Sequence, residues 1–214
     1  RRQGQEGRAR RVLRARGFSA GRRDAVRRRA GHRRRRVGRA HDDDAVAAQV
    51  LDANMTLSQG ALTAVNNRSL AVREKVLAIF HERWRRNALV LEKWFSFESM
   101  SCISGSISRL QELMKHSSFD PTNPNKLRVV LGSFMNGNPV KFYAEDGSGF
   151  EFAVDCLIDV DKRNPQLSAR MVLPLTRMNA FSDWRQQQMR EALTRLQAST
   201  QSSDLNEVIE RVLT

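Results

Sequence analysis

His81-Glu82 begins as a zinc-peptidase helix does, with an imidazole ligand followed by a carboxylate that can act as a base. That chemistry needs a second histidine four residues after the first, so that both imidazoles face one ion from one helix face, and position 85 is arginine. His32, His41, His81 and His116 are scattered, and Cys102 and Cys156 stand far apart in the chain. No metal-ligand set and no catalytic set emerges from these residues. Glu145-Asp146-Gly147-Ser148-Gly149 pairs carboxylates with glycines, but the lysine of a phosphate-cradling loop is replaced by Phe150. The stretch reads as a turn in which Ser148 or Asp146 caps a helix over 150–161. Trp84, Trp94, Phe95 and Phe97, together with Met100, Met114 and Met135, fit a core better than a cofactor platform.

The elements that would position such residues are helical. Apolar residues recur at i, i+3, i+4 and i+7, as in Leu127, Val130, Leu131 and Phe134. The same stripe runs through Val72, Val76, Ile79, Phe80 and Trp84, through Ile103, Ile107, Leu110 and Met114, and through Phe150, Val154, Leu157 and Ile158. Met189, Ala192, Leu193 and Leu196 form another, and Leu205, Val208, Ile209, Val212 and Leu213 the last. No segment alternates with the period of a strand. Thr56 with Gln59 reads as a capping box. Asn-Pro recurs at 123–124, 138–139 and 164–165, where the asparagine can cap and the proline can take the first helical position without losing a needed N–H. Pro124 and Pro165 are one helix-pair repeat apart, near the ~40–47 residues of HEAT and armadillo units. The expected fold is all-α, a superhelical stack of antiparallel helix pairs.

Charge divides the chain. Residues 1–40 carry 17 arginines against two acids, whereas the remainder is nearly neutral, so the overall +14 is a property of the leader alone. Like charges at that density oppose packing, and residues 1–41 are expected to be a disordered leader ahead of a helical domain over 42–214. One reading makes the leader a basic arm for nucleic-acid phosphates. Its content of Arg, Gly and Ala, which share G/C-rich codons, favours instead a wrong-frame translation fused to a true coding segment. Two unclustered cysteines point to a reducing, cytoplasmic setting. The absence of a stretch of ~20 apolar residues excludes a membrane-spanning helix from the expectation.

At the level of whole segments the body resembles the C-terminal helical domain of bacterial aminopeptidase N, in the alanyl aminopeptidase family of zinc metallopeptidases. The resemblance is carried by Ala88-Leu89-Val90-Leu91-Glu92-Lys93-Trp94-Phe95, Ser118-Phe119, Asn123-Pro124-Asn125-Lys126-Leu127-Arg128, Asn138-Pro139, the run from Ala144 to Phe150, and Arg163-Asn164-Pro165-Gln166. It covers approximately residues 45–214, and the arginine-rich residues 1–40 do not share it. What it implies is a C-terminal fragment of a hydrolase that removes N-terminal residues from peptides. Zinc would belong to the intact enzyme, since the family's H-E-x-x-H helix lies in upstream domains and no cofactor is expected in this chain. The implied partners are those catalytic domains and peptide substrates, with nucleic acid only through the leader if it is a genuine arm. The domain itself would close over the active site and shape access to it.

Within the resemblance, Arg128 and Arg170 match arginines on the substrate-channel side of the family's C-terminal domain. Arg128 follows Pro124 by four residues and Arg170 follows Pro165 by five, so stacked repeats would set them on one rim. Pro174 should kink the helix that carries Arg170, because its ring opposes the carbonyl four residues earlier. The alternative for both arginines is a structural ion pair, for instance with Asp155 or Asp159. The chain by itself is expected to be inactive: metal analysis of the purified protein should find no stoichiometric zinc, and an alanyl amide should not be hydrolysed. Zinc-dependent turnover would contradict this reading.

Overall fold

The local rules that set this fold are the asparagine caps, and the computed structural model places each of the three Asn-Pro pairs as expected. The structure describes residues 45, 48–50, 54–103 and 106–214. The leader with its expected disorder, His32, His41 and the boundary at residue 42 lie outside them. Every regular element among the described residues is helical: α1 (Met55–Val65), α2 (Leu70–Trp84), α3 (Ala88–Met100), α4 (Ile107–Met114), α5 (Pro124–Leu127), a π-helical turn (Arg128–Gly132), α6 (Ser133–Gly137), α7 (Pro139–Phe142), α8 (Ser148–Asp161) and α9 (Pro165–Met171). Two 3-10 turns follow, Leu173–Thr176 and Met178–Ala180, and then α10 (Asp183–Ser199) and α11 (Ser203–Leu213).

Asn123, Asn138 and Asn164 each accept a backbone N–H from the helix they open, those of Asn125, Lys141 and Leu167. Proline occupies the first turn in all three. Asn138 does more, because it is fully buried and its amide also donates to the carbonyls of Ser99 and Ser101 at 3.2 and 2.9 Å. The end of α3 and the start of α7 are thereby joined through one side chain, which satisfies orphan carbonyls that burial would otherwise penalise.

Three expectations are corrected. The cap of α1 is Asn54, whose side chain accepts the Thr56 N–H at 2.9 Å, so Thr56 lies inside the first turn and Gln59 donates back to the Met55 carbonyl instead of completing a capping box. Ile103 does not belong to the stripe of α4, which starts at Ile107 behind its cap Ser106; Ile103 sits in the preceding turn and is exposed. The helix expected over 150–161 starts at Ser148, with Asp146 accepting both the N–H and the hydroxyl of Ser148.

The turn before α8 needs both its glycines. Gly147 has φ +73°, a left-handed conformation that costs side chains energy. Gly149 lies against the backbone of α7, where an added Cβ would stand 2.3 Å from the Phe142 carbonyl oxygen.

Packing follows chain order: α1 lies on α2, α2 on α3, α3 on the π turn and α6, α8 on α7, α9 and α10, and α11 on α9 and α10. Most residues of the stripes read from the sequence are buried, with Val130, Leu131 and Phe134 in the middle and Met189, Ala192, Leu193 and Leu196 on α10, whereas Trp84, Val212 and Leu213 are only partly covered. Aromatic rings fill two clusters. Phe134, Phe142 and Phe150 meet edge to face, while Trp94 and Phe95 surround His116. His81 and His116, scattered in the sequence, meet with ring centroids 5.5 Å apart. His116 Nδ1 accepts the Ser118 N–H, which fixes the neutral ring in place.

Two stability predictions arise from this packing. Gly149→Ala should cost about 3 kcal/mol, at the upper end of overpacking costs, because the clash is with backbone atoms. Gly60→Ala in α1, where nothing lies near the new methyl, should stabilise by about 0.5–1 kcal/mol; chemical denaturation of both variants checks the contrast. The second concerns pH. Burial, with the charges of His81 and Arg109 behind it, holds His116 below the ordinary histidine value of 6.5. The unfolded chain then takes up the proton more readily, so the contribution of the neutral ring is intact above pH 6.5 and is lost as pH falls from there through the lowered folded value. Thermal melts should show this decline between pH 7 and 5, and His116→Asn should flatten it.

Candidate functional site

Arg128 opens the π-helical turn between α5 and α6, where the Ser133 N–H reaches the Arg128 carbonyl five residues back. Such single wide turns recur at functional sites, since they displace one side chain from the regular helical path. Arg170 lies in the last turn of α9. Pro174 does not kink that helix: α9 stops at Met171, Val172 caps it, and Pro174 lies in the first turn of the 3-10 segment that starts at Leu173, where its missing N–H costs nothing. Arg177 follows directly at the end of this turn.

These elements bring Arg128 and Arg170 onto one groove of about 590 Å³, shared with Arg177 and walled by Met100, Met171 and Pro174. A smaller depression of about 270 Å³ is lined by the same two arginines together with Asn125, Asn164 and Gln166. No carboxylate lines either one among the described residues. The ion pairs offered as the alternative are not formed, because Asp155 is held by Arg195 and Asp159 by Lys162. Arg128 donates to the neutral Asn125 side chain at 3.1 Å. Arg128, Arg170 and Arg177 are all exposed, so their guanidinium groups carry forks of donors open to an anion.

A larger cavity of about 870 Å³ between α2, α3 and α4 offers a useful contrast. Arg73, Glu98, Arg109 and Glu112 line it, and their charges are already spent on one another. His81 also borders this cavity, but its ring packs on Trp94 with centroids 4.6 Å apart. Among the described residues no group of three or more His, Cys, Asp or Glu could hold a metal ion. Burial, with Asp155 and Asp159 beside it, pushes the Cys156 thiol up to about 12, so it supplies no thiolate at neutral pH. The described residues therefore offer no ligand set that fits zinc.

Arg177 and Met100 were missed in the sequence. Met100 read as core, yet it is only partly buried and forms the groove wall. The signal for Arg177 lay in Pro174: a proline that ends a helix turns the chain, and the turn swings the next arginine toward Arg170. Burial raises the Tyr143 phenol above its ordinary value, against a pull from Arg177 and Arg185 that places both cations near that ring.

The family model of a domain of unknown function (DUF3458_C), ARM repeats, matches residues 12–214, a span that takes in part of the arginine-rich leader. Aminopeptidase N of Escherichia coli is 37% identical over 161 residues, 75% of this chain and 18% of that protein. Aminopeptidase N of Haemophilus influenzae is 39% identical over 161 residues, with the same coverage of each chain. Among solved structures, Legionella pneumophila aminopeptidase A in complex with aspartic acid superposes with a TM-score of 0.74 at 28% identity, over 83% of this chain and 21% of that one. The chain thus spans about a fifth of the length of the relatives it matches. All-helical architecture, the helical repeat signature and these matches agree, and the chain belongs to the DUF3458_C ARM-repeat family as a C-terminal helical domain of aminopeptidase N.

Proposed function

We propose that this chain serves as the non-catalytic C-terminal domain of a cytoplasmic zinc aminopeptidase that removes N-terminal residues from peptides, with residues 42–214 as the working domain. In that setting it closes over the active site of the catalytic domains and shapes peptide access, and the zinc belongs to those domains. Arg128 and Arg170 face the substrate. The observation that carries this reading is the groove in which both arginines stand without any carboxylate among the described residues, on a domain whose relatives are aminopeptidases. Unpaired guanidinium groups on a concave surface attract carboxylates, and a peptide carries one at its far end from the scissile bond. Apolar walls from Met100, Met171 and Pro174 hold back water on one side, which strengthens that attraction over its value at an open surface.

The reading is tested by replacing the matching segment of Escherichia coli aminopeptidase N with residues 42–214 of this chain. Arg128→Ala and Arg170→Ala in the chimera should each raise KM for short peptides severalfold, about what one charge-assisted contact supplies, with kcat and the melting temperature unchanged. A lowered melting temperature with normal kinetics would leave the arginines a structural role only.

A further inference from the structure

The groove holds more positive charge than one carboxylate neutralises. Arg128 and Arg170 come from equivalent ends of α5 and α9, and Arg177 comes from a separate 3-10 turn. All three line the same space of about 590 Å³. Elsewhere in the domain Arg73, Arg85, Arg109, Arg195 and Arg211 each pair with a carboxylate. The three groove arginines make no such pair among the described residues, and Asp155 and Asp159 are engaged by other cations. Ser133 and Asn136 add neutral polar groups to the lining, but neither brings a negative charge.

We propose that this groove is selective for peptides whose C-terminal residue is itself acidic, with Arg177 as the residue that reads the second charge. This rests on the carboxylate-binding reading of Arg128 and Arg170 given above. An α-carboxylate has two oxygens and can bridge two guanidinium forks, which accounts for Arg128 and Arg170. A third guanidinium beside that pair is then repelled by both and gains nothing from a neutral C-terminal side chain. A C-terminal Glu or Asp places a second carboxylate within a few bonds of the first, and Arg177 is the cation left to receive it. The ligand class is a dianionic peptide terminus, and the charge of the groove complements it.

Calorimetric titration of the full chain with Ala-Ala-Glu and with Ala-Ala-Gln at physiological salt tests this, because the two tripeptides are nearly the same in shape and differ by one charge. The arginine-rich leader attracts both, so the comparison is made within each of three proteins: the parent, Arg177→Gln, and the double variant Arg128→Ala, Arg170→Ala. In the parent, Ala-Ala-Glu should bind about fivefold more tightly, the yield of one partly exposed ion pair. Arg177→Gln should bring the ratio close to one and leave the affinity for Ala-Ala-Gln within about twofold, while Arg177→Lys should keep part of the preference. Equal affinities in the parent, or a preference that survives Arg177→Gln, would overturn the role of Arg177 while leaving the carboxylate reading intact. If the double variant binds Ala-Ala-Gln as well as the parent does, the carboxylate reading fails, and this proposal falls with it.

Discussion

Glu98 lies between two arginines in the interior of the domain, and the first half of the fold is arranged around keeping that charge satisfied. One of its oxygens accepts from Arg73 at 2.9 Å and the other from Arg109 at 3.0 Å. Arg73 is itself only 2% exposed, and its remaining donors reach the Asn66 side chain and the Phe97 carbonyl. Removing two such charges from water costs several kcal/mol per ion, and the cost is recovered only when geometry and the further hydrogen bonds are good. The helices α1, α2, α3 and α4 must therefore hold a fixed relation, because Asn66 follows α1, Arg73 is on α2, Glu98 on α3 and Arg109 on α4. A shift of α2 or α3 would leave a buried charge unpaired, and a shift of α1 or α4 would cost that pair one of its supporting contacts. Ser101, whose hydroxyl donates to the Asn66 carbonyl, extends the same network to the residue that Asn138 grips.

The second half depends on polar contacts of a different kind. Asn138 is neutral and fully buried, and it connects the end of α3 to the start of α7 by meeting backbone groups that would otherwise be orphaned. Farther on, Asp161 at the end of α8 accepts from the hydroxyls of Thr200 and Ser202, which closes the turn between α10 and α11 onto the core. Between these points the packing is aromatic and aliphatic. The backbone of α7 approaches α8 so closely that only a glycine fits at position 149. Polar contacts set where each helix begins and ends, and apolar stripes decide which faces meet.

Charge is treated in opposite ways around Glu98 and along the arginine groove. Around Glu98 each positive group has its counter-charge, which rigidifies the domain and leaves little for a ligand to gain. On the groove side Arg128, Arg170 and Arg177 stand exposed with no carboxylate among the described residues of the lining. A protein that gained stability from every charge would not leave three arginines together in this state, since their mutual repulsion is unfavourable. The unsatisfied charge is consistent with a ligand that supplies the missing negative groups, and peptides do so at their C-terminus.

Much of the local structure was legible in the sequence because it is governed by short-range rules. An asparagine before a proline must cap or waste its side chain, and apolar residues at helical spacing must share a face, so helices, their Asn-Pro starts and most buried stripes could be read directly. Arg128 and Arg170 were singled out by the resemblance to the family, and the regularity of two similar starts set them on one rim. The errors came where two local signals competed. Thr56 looked like a cap until Asn54, two residues earlier, took that role, and Ile103 kept the helical spacing although α4 starts only at Ile107. Sequence could not show that His81 meets His116, that Glu98 is shared by two arginines, or that Asp155 is taken by Arg195. Those pairings join residues on separate helices, and their distances depend on how the helices pack, which no single segment encodes. The same holds for Arg177: its type and position were visible, but only the turn at Pro174 and the packing of α9 bring its charge into the groove of the other two.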